Sequence, residues 1–306
     1  MKRTVAVLLS LIITAACFTA CNESSSNTDS QKTESSSTVE TSSVVESKSD
    51  DSSENPSSSV DSNKETIPDA KVEESGVFGK NGDNLKWEYY SNGTLVISGS
   101  GEMRDYEKKE DLPYYDKAKK ITKVVLSEGI VNIGANSFSD LSNLAFIEIP
   151  NSISKIGRYA FFDCSGFTSF NVPDSVKELD FGVFYGCSGL TSIKLPKEIT
   201  SLPDQLLQKC SNLESVEIPD GVTEIGQWAF SDCYKLKSVT LPQKVKTIGS
   251  FAFNECDSLN SIVIPESVTK IDMSAFADAP KVTITGKAGS EAEKFAKENN
   301  IKFTVI

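Results

Sequence analysis

Five cysteines stand at Cys164, Cys187, Cys210, Cys233 and Cys256, each 23 residues from the last. Evenly spaced thiols admit three chemistries: cross-linking, metal ligation, and nucleophilic or redox catalysis. Cross-linking needs Cα atoms roughly 4.4–6.8 Å apart, a separation that neighbouring turns of a stacked coil would supply. Yet five is odd, a large apolar residue stands three positions before and three after each one, and parallel side chains in a straight file do not close round a metal. Nor is there a Cys-x-x-Cys pair to lower a thiol pKa. The expectation is buried free thiols packing as small hydrophobes.

The other reactive residue types add little. The 306-residue chain has no histidine, which removes Ser-His-Asp and Cys-His triads, His-ligated metals and a histidine pH switch. The adjacent carboxylates Asp50-Asp51, Glu73-Glu74 and Glu110-Asp111 lie in polar stretches and read as solvated charge. Gly99-Ser100-Gly101 lacks the remainder of either nucleotide-binding fingerprint. No catalytic residue, no metal ligand and no cofactor is therefore expected. A formal charge of −12 and a pI near 4.7 argue against nucleic acid as a partner, since that needs a basic face to displace phosphate counterions.

Whatever holds the cysteines in register is a repeat. Prolines recur at Pro150, Pro173, Pro196, Pro219, Pro242 and Pro265, again every 23 residues. Phe138, Phe161, Phe184, Leu207, Phe230, Phe253 and Phe276 share that period, as do Leu144, Phe167, Leu190, Leu213, Leu236 and Leu259. Self-similarity at 20 to 30 residues predicts a solenoid. Within one unit, Val216 and Ile218 alternate with Glu217, the pattern of a strand with one face buried. Pro219 has no amide hydrogen to donate and ends the ladder there. Val222 and Ile225 make a second short apolar step, Gly226 marks a turn, and Trp228-Ala229-Phe230 leads the chain back inward. Coils stacked at about 4.8 Å would make a body roughly 35 Å long whose stability is a sum over interfaces.

Both ends carry cap signals, which an open stack of backbone groups requires. Leu85 to Tyr90 and Thr94 to Ser98 flank Asn92-Gly93, a type I′ hairpin signal, with Trp87 and Leu95 placed to cover the first coil. Ser290 and Glu293 form a capping box before a helix from Glu291 to Glu298, with Ala292, Phe295 and Ala296 along its apolar side. A closing strand is expected from Ile301 to Val305.

The unit as a whole (Ile-Pro, valine, isoleucine-glycine, Ala-Phe, cysteine, leucine) resembles the BspA-type leucine-rich repeat of bacteria over about residues 121–285. Asp180, Pro203 and Asp272 replace the turn glycine and Leu207 replaces phenylalanine, so irregularity is expected in the third, fourth and last turns. The resemblance implies a non-catalytic surface or secreted interaction protein, often an adhesin for host proteins or other cells. It transfers a class of activity and no binding residue.

The N-terminal part reads differently. Lys2 and Arg3 precede an apolar run from Val5 to Ala16, too short to span a bilayer comfortably. Phe18-Thr19-Ala20-Cys21 resembles a bacterial lipobox, which implies cleavage before Cys21 and lipid attachment to it; Cys17 is the competing site. Residues 22–70 include seventeen serines and eleven acidic residues against three lysines, for a net −8. Such a segment has too little apolar surface to offset its ordering entropy, and a chain of this length reaches roughly 40 Å. The expected organisation is a signal segment at 1–20, a Ser-rich acidic linker at 21–75, a β cap at 76–120, the solenoid at 121–285 and a C-terminal cap at 286–306. The chain would thus be extracytoplasmic and held to the cell membrane through its lipid.

What remains for function is the surface. Glu148, Asn171, Lys194, Glu217, Thr240 and Val263 occupy outward strand positions and mix both signs of charge, against a purely electrostatic site. Aromatics recur in register elsewhere: Tyr159, Trp228 and Phe251 share one repeat position, and Phe162 and Tyr185 another. Exposed, they would form a patch for a protein or cell-surface ligand; otherwise they pack against turns or the next coil. A spacer with no dedicated ligand and a glycan-binding module are the alternative functions.

Overall fold

The computed structural model describes residues 70–306 other than Asp83. The expected signal segment, Cys21 and the Ser-rich stretch up to residue 69 lie outside the described residues.

The chain first makes a small antiparallel sheet. β1 (Val72–Phe78) pairs with β2 (Leu85–Tyr90), and β2 with β3 (Thr94–Gly99). β2 alternates strictly, burying Leu85, Trp87 and Tyr89, because a pleated strand turns every second side chain to the same face. β1 begins at Val72, so the cap starts four residues ahead of the expected boundary at 76. The hairpin falls where Asn92-Gly93 placed it, but its turn is not type I′. Only Gly93 is left-handed, at φ 83°, and its N–H donates to the Tyr90 carbonyl at 2.9 Å. That is a three-residue loop closed by a bulge at the glycine. A side chain at Gly93 would come within 2.8 Å of the Lys120 carbonyl oxygen, so the position is fixed by contact as well as by φ.

β3 then pairs in parallel with β4 (Lys123–Leu126), and the solenoid begins. It runs for about eight turns at the expected spacing. Each coil contributes two short parallel strands. The first ladder carries strands such as Ser169–Asn171, Ser192–Lys194 and Ser215–Glu217; the second carries two-residue strands such as Glu224–Ile225 and Thr247–Ile248. Pairing is in register at 23 residues, with Ser192 opposite Ser169 and Ser215, and Glu224 opposite Ser201 and Thr247. Between the ladders, five of the repeat prolines accept a hydrogen bond at their carbonyls from the residue three positions on, as Val222 N–H does to Pro219. Proline thus ends one strand and shapes the turn into the next.

The core is a set of columns running along the axis. Tyr114, Phe138, Phe161 and Phe184 stack in sequence with ring centroids 6.5, 5.6 and 5.5 Å apart, and Phe230, Phe253 and Phe276 at 5.2 and 5.2 Å. Trp87 closes the first end edge-on against Tyr114, and Phe295 closes the other against Phe276. The helix α1 (Glu291–Glu298) supplies Phe295 and buries Ala292 and Ala296 as expected. Ser290 Oγ accepts the Glu293 N–H, while Glu293 accepts from Gly289 N–H, one residue before the usual capping-box donor. A strand at Lys302–Val305 completes the first ladder.

Of the expected irregularities the clearest is at Pro203, and the last turn also departs, since Ser274 lacks the left-handed backbone of its equivalents. Asp180 and Asp272 keep the backbone hydrogen bond that glycine makes in other coils, donating to Ile156 and Ile248 carbonyls at 3.0 Å. Pro203 has no N–H to give, and the second ladder is broken between Glu178–Leu179 and Ser201–Leu202. Leu207 sits in the same coil and interrupts the phenylalanine stack. Backbone and core therefore share a seam.

Candidate functional site

The five cysteines are all free and buried. Each Sγ donates to a main-chain carbonyl in the preceding coil: Cys164 to Phe138, Cys187 to Phe161, Cys210 to Phe184, Cys233 to Leu207 and Cys256 to Phe230, at 3.0–3.3 Å. Burial pushes every one of these thiols up, away from the reactive thiolate. Their job is to fill space and satisfy a carbonyl. Among the described residues no group of three Cys, Asp or Glu side chains could hold a metal ion. One hollow of about 330 Å³ opens along the second ladder, between Asp204, Glu224, Gln227, Thr247, Lys270 and Asp272. It is polar and shallow, without the apolar walls of a small-molecule pocket.

The third side of each coil is different. After the second ladder the chain makes a tight ribbon in which two residues per coil are left-handed. The first column is Asn136, Tyr159, Gly182, Gln205, Trp228 and Phe251; the second is Asp140, Asp163, Gly186, Lys209, Asp232, Glu255 and Asp278. These pairs bracket the buried phenylalanine. In the Tyr159 coil, the N–H groups of Tyr159, Phe161 and Asp163 all donate forward, to the Phe181, Val183 and Tyr185 carbonyls at 2.8–3.0 Å. The Trp228 coil repeats this with Trp228, Phe230 and Asp232. The left-handed backbone lets alternate amides point along the axis, and it is imposed by stacking whatever the side chain.

Glycine and asparagine suit that conformation; bulky side chains do not, and the strain is of order 1–2 kcal/mol per residue. Tyr159, Trp228 and Phe251 nonetheless occupy it, at φ 53°, 51° and 55°. Trp228 and Phe251 stack face to face, 5.9 Å apart and 2° from parallel. Tyr159 lies across Gly182, where a Cβ would be 2.4 Å from its ring, and its hydroxyl reaches the Gln205 side chain at 3.0 Å. Ring pairs of this kind contribute about 0.5–1.5 kcal/mol, which offsets much of the strain.

The five expected aromatics thus form two groups. Tyr159, Phe162 and Tyr185 come together with Phe181: Phe162 stacks on Tyr185 at 5.0 Å, and Tyr159 meets Phe162 and Phe181 edge-on at 5.4 and 5.2 Å. Lys209 Nζ sits 5.1 Å over the Tyr185 ring. Trp228 and Phe251 make the second group, one coil beyond Gln205. All five side chains are half-buried. They pack against neighbouring aromatic rings while remaining partly exposed. Sequence reasoning passed over Phe181, Tyr234 and Phe146. Phe146 is 55 % exposed, with Lys123 Nζ 5.6 Å from its ring centre. The signal for it was register: the same position in the next five coils is Ser169, Ser192, Ser215, Ser238 and Ser261.

Comparison with known proteins agrees with this architecture. The BspA type leucine rich repeat region matches residues 113–237 and 158–283, in six copies. Among solved structures, the leucine rich repeat protein of T. pallidum is 20% identical with a TM-score of 0.52, over 75% of this chain and 98% of that one. A leucine-rich repeat protein from Eubacterium ventriosum is 20% identical, TM-score 0.46, over 71% and 73% of the two chains. A leucine rich cell surface protein from Faecalibacterium prausnitzii is 22% identical, TM-score 0.41, over 66% and 74%. No curated protein matches the chain in sequence.

Proposed function

This chain belongs to the BspA-type leucine-rich repeat family, and from that premise we propose that it is a non-catalytic, extracytoplasmic binding protein, lipid-anchored through Cys21 and adhesin-like, that holds a protein or cell-surface ligand on its turn-rich side. One observation carries the reading: this side displays the edges of Tyr159, Trp228 and Phe251 from a strained left-handed backbone that glycine or asparagine would occupy at less cost. Phe162 and Tyr185 extend the same strip. Aromatic side chains with one side packed and one open are typical anchors of protein interfaces. Sugar recognition through ring faces fits less well, since one face of Trp228 and one of Phe251 are turned toward each other in an offset stack.

The test is capture from host extract and from cell envelope by the full chain, alongside a glycan array, each repeated with Trp228→Ala/Phe251→Ala. A protein retained by the parent and lost with the variant supports the proposal. Binding to sugars alone, or to nothing, refutes it in favour of a glycan module or a spacer. Anchoring is tested separately: metabolic labelling with a fatty acid should mark the parent and not Cys21→Ser.

A further inference from the structure

The eleven ion pairs of the described residues lie mostly along the ladders and the cap. In the second left-handed column only Asp140 is paired, with Lys109 at 2.9 Å. Asp163, Asp232, Glu255 and Asp278 take part in none of those pairs, and the column's one cation, Lys209, is turned over the Tyr185 ring. Asp232, Glu255 and Asp278 follow each other on successive coils. Their hydrogen bonds come from neutral groups: Tyr234 Oη donates to Asp232 at 3.1 Å and approaches Glu255 at 3.4 Å, and Ser231 Oγ donates to Asp232 at 3.0 Å. Burial, then the Asp232 carboxylate, pushes Glu255 up from the usual carboxylate range with no cation acting against it; Asp163 is also raised, by burial and then Asp140, against the pull of Lys209, Lys109 and Lys119. This column is four residues along the same turns from Trp228 and Phe251, and Tyr234, 39 % exposed, stands beside it.

Resting on the binding role proposed above, we infer that the ridge formed by the aromatic and acidic left-handed columns takes a cationic protein segment, with Lys or Arg side chains set against Asp232, Glu255 and Asp278 and their stems along Trp228, Phe251 and Tyr234. Charge complementarity selects the occupant. Three carboxylates on successive coils, about 4.8 Å apart, lie within reach of the long, flexible side chains of neighbouring Lys or Arg residues, and adjoining aromatic edges and faces favour cations and their aliphatic stems.

N-acetylated nonalysine is the probe, titrated into the full chain and then coupled with carbodiimide, which joins lysine amines to activated carboxylates as amides with loss of the urea, and the amidated carboxylates are mapped by mass spectrometry. Cross-links are expected at Asp232, Glu255 and Asp278. The amide variant Asp232→Asn/Glu255→Gln/Asp278→Asn should bind about tenfold more weakly, and Trp228→Ala/Phe251→Ala several-fold more weakly at unchanged charge. Glu178→Gln/Glu214→Gln/Glu266→Gln removes the same charge from other faces and should bind within about twofold of the parent. Cross-links confined to residues before 70, or equal weakening by both charge variants, would overturn the inference. If the full chain captures a natural partner and the Asp232→Asn/Glu255→Gln/Asp278→Asn variant captures it equally well, this inference fails while the binding role stands.

Discussion

Alkali should unfold this solenoid at a pH set by its cysteine column. Burial raises the pKa of all five repeat thiols in the folded chain, from an ordinary value of 9.0. Above that value the unfolded chain loses five protons that the folded chain keeps, so the folded state binds more protons and stability falls as pH rises. Below about pH 8 the contribution is constant, because both states hold every proton. At pH 10 each thiol favours the unfolded state by about 1.4 kcal/mol, and the five together by about 7 kcal/mol. Typical domain stabilities are about 5–15 kcal/mol, so the loss is a large fraction of the whole. Burial also raises Tyr106, to about 12, and Tyr114 further, which steepens the decline beyond pH 10. The assay is urea unfolding followed by circular dichroism at pH 8, 9 and 10, on the parent and on a variant with all five repeat cysteines replaced by alanine. The parent should lose most of its stability across that range. The alanine variant should start lower, through lost packing, and change much less. A parent whose unfolding free energy is level from pH 8 to 10 would refute the reasoning, as would thiols that react with an aromatic disulfide reagent at pH 8 as fast as those of the unfolded chain.

Phe253→Ala should cost about 3–5 kcal/mol in urea unfolding, since its ring is buried between Phe230 and Phe276 at 5.2 Å on each side. Gly182→Ala should cost about 1–3 kcal/mol, because its φ is 60° and the new methyl would meet the Tyr159 ring; the same measurement checks it. Native-state hydrogen exchange should find the amides of residues 200–202 opening about tenfold faster than those of 223–225, as the second ladder is broken ahead of Ser201 and continuous at Glu224. Trp228→Ala/Phe251→Ala should stay folded with a Tm lowered by only a few degrees, because both rings are half-buried and stack on each other outside the core cluster.

The repeat was legible because a stacked coil constrains every turn alike. Phe161 and Phe184, and Phe230 and Phe253, stack in one buried file with Leu207 between the two pairs, since the same position of each coil meets its equivalent one coil on, and that contact writes the period into the chain. Cysteine at a fixed place in the unit follows the same logic, as a small apolar side chain that also donates to a carbonyl. Tyr114 was missed because it stands 24 residues before Phe138, outside the strict period, where the cap's 3-10 turns replace a ladder strand. The hairpin turn was mistyped because Asn-Gly is compatible with both a two-residue loop and a bulged three-residue one, and contact with Lys120 decides between them. The left-handed columns left only a partial residue signature: the second holds Asp140, Asp163, Gly186, Asp232 and Asp278, types that tolerate this backbone, but also Lys209 and Glu255, and the first is more mixed. Asn136, Gly182 and Trp228 share a backbone conformation that is dictated by forward hydrogen bonds between coils, and no side chain is required for it.

That last point bears on how such a scaffold carries function. On the two ladders, inward positions are fixed by stacking, and some outward ones are tied into ion pairs, as Lys155 is with Glu178 and Lys123 with Glu148. On the third side, main-chain bonds between coils recur whichever residue is left-handed, so the side chains there can diverge at a cost of about 1–2 kcal/mol, small beside the energy of a core column. Tyr, Trp and Phe accumulate there, and four unpaired carboxylates line the adjacent column. A solenoid built this way separates its two demands in space: period and burial secure the fold, while the positions the fold leaves unspecified are those on which a partner can be selected.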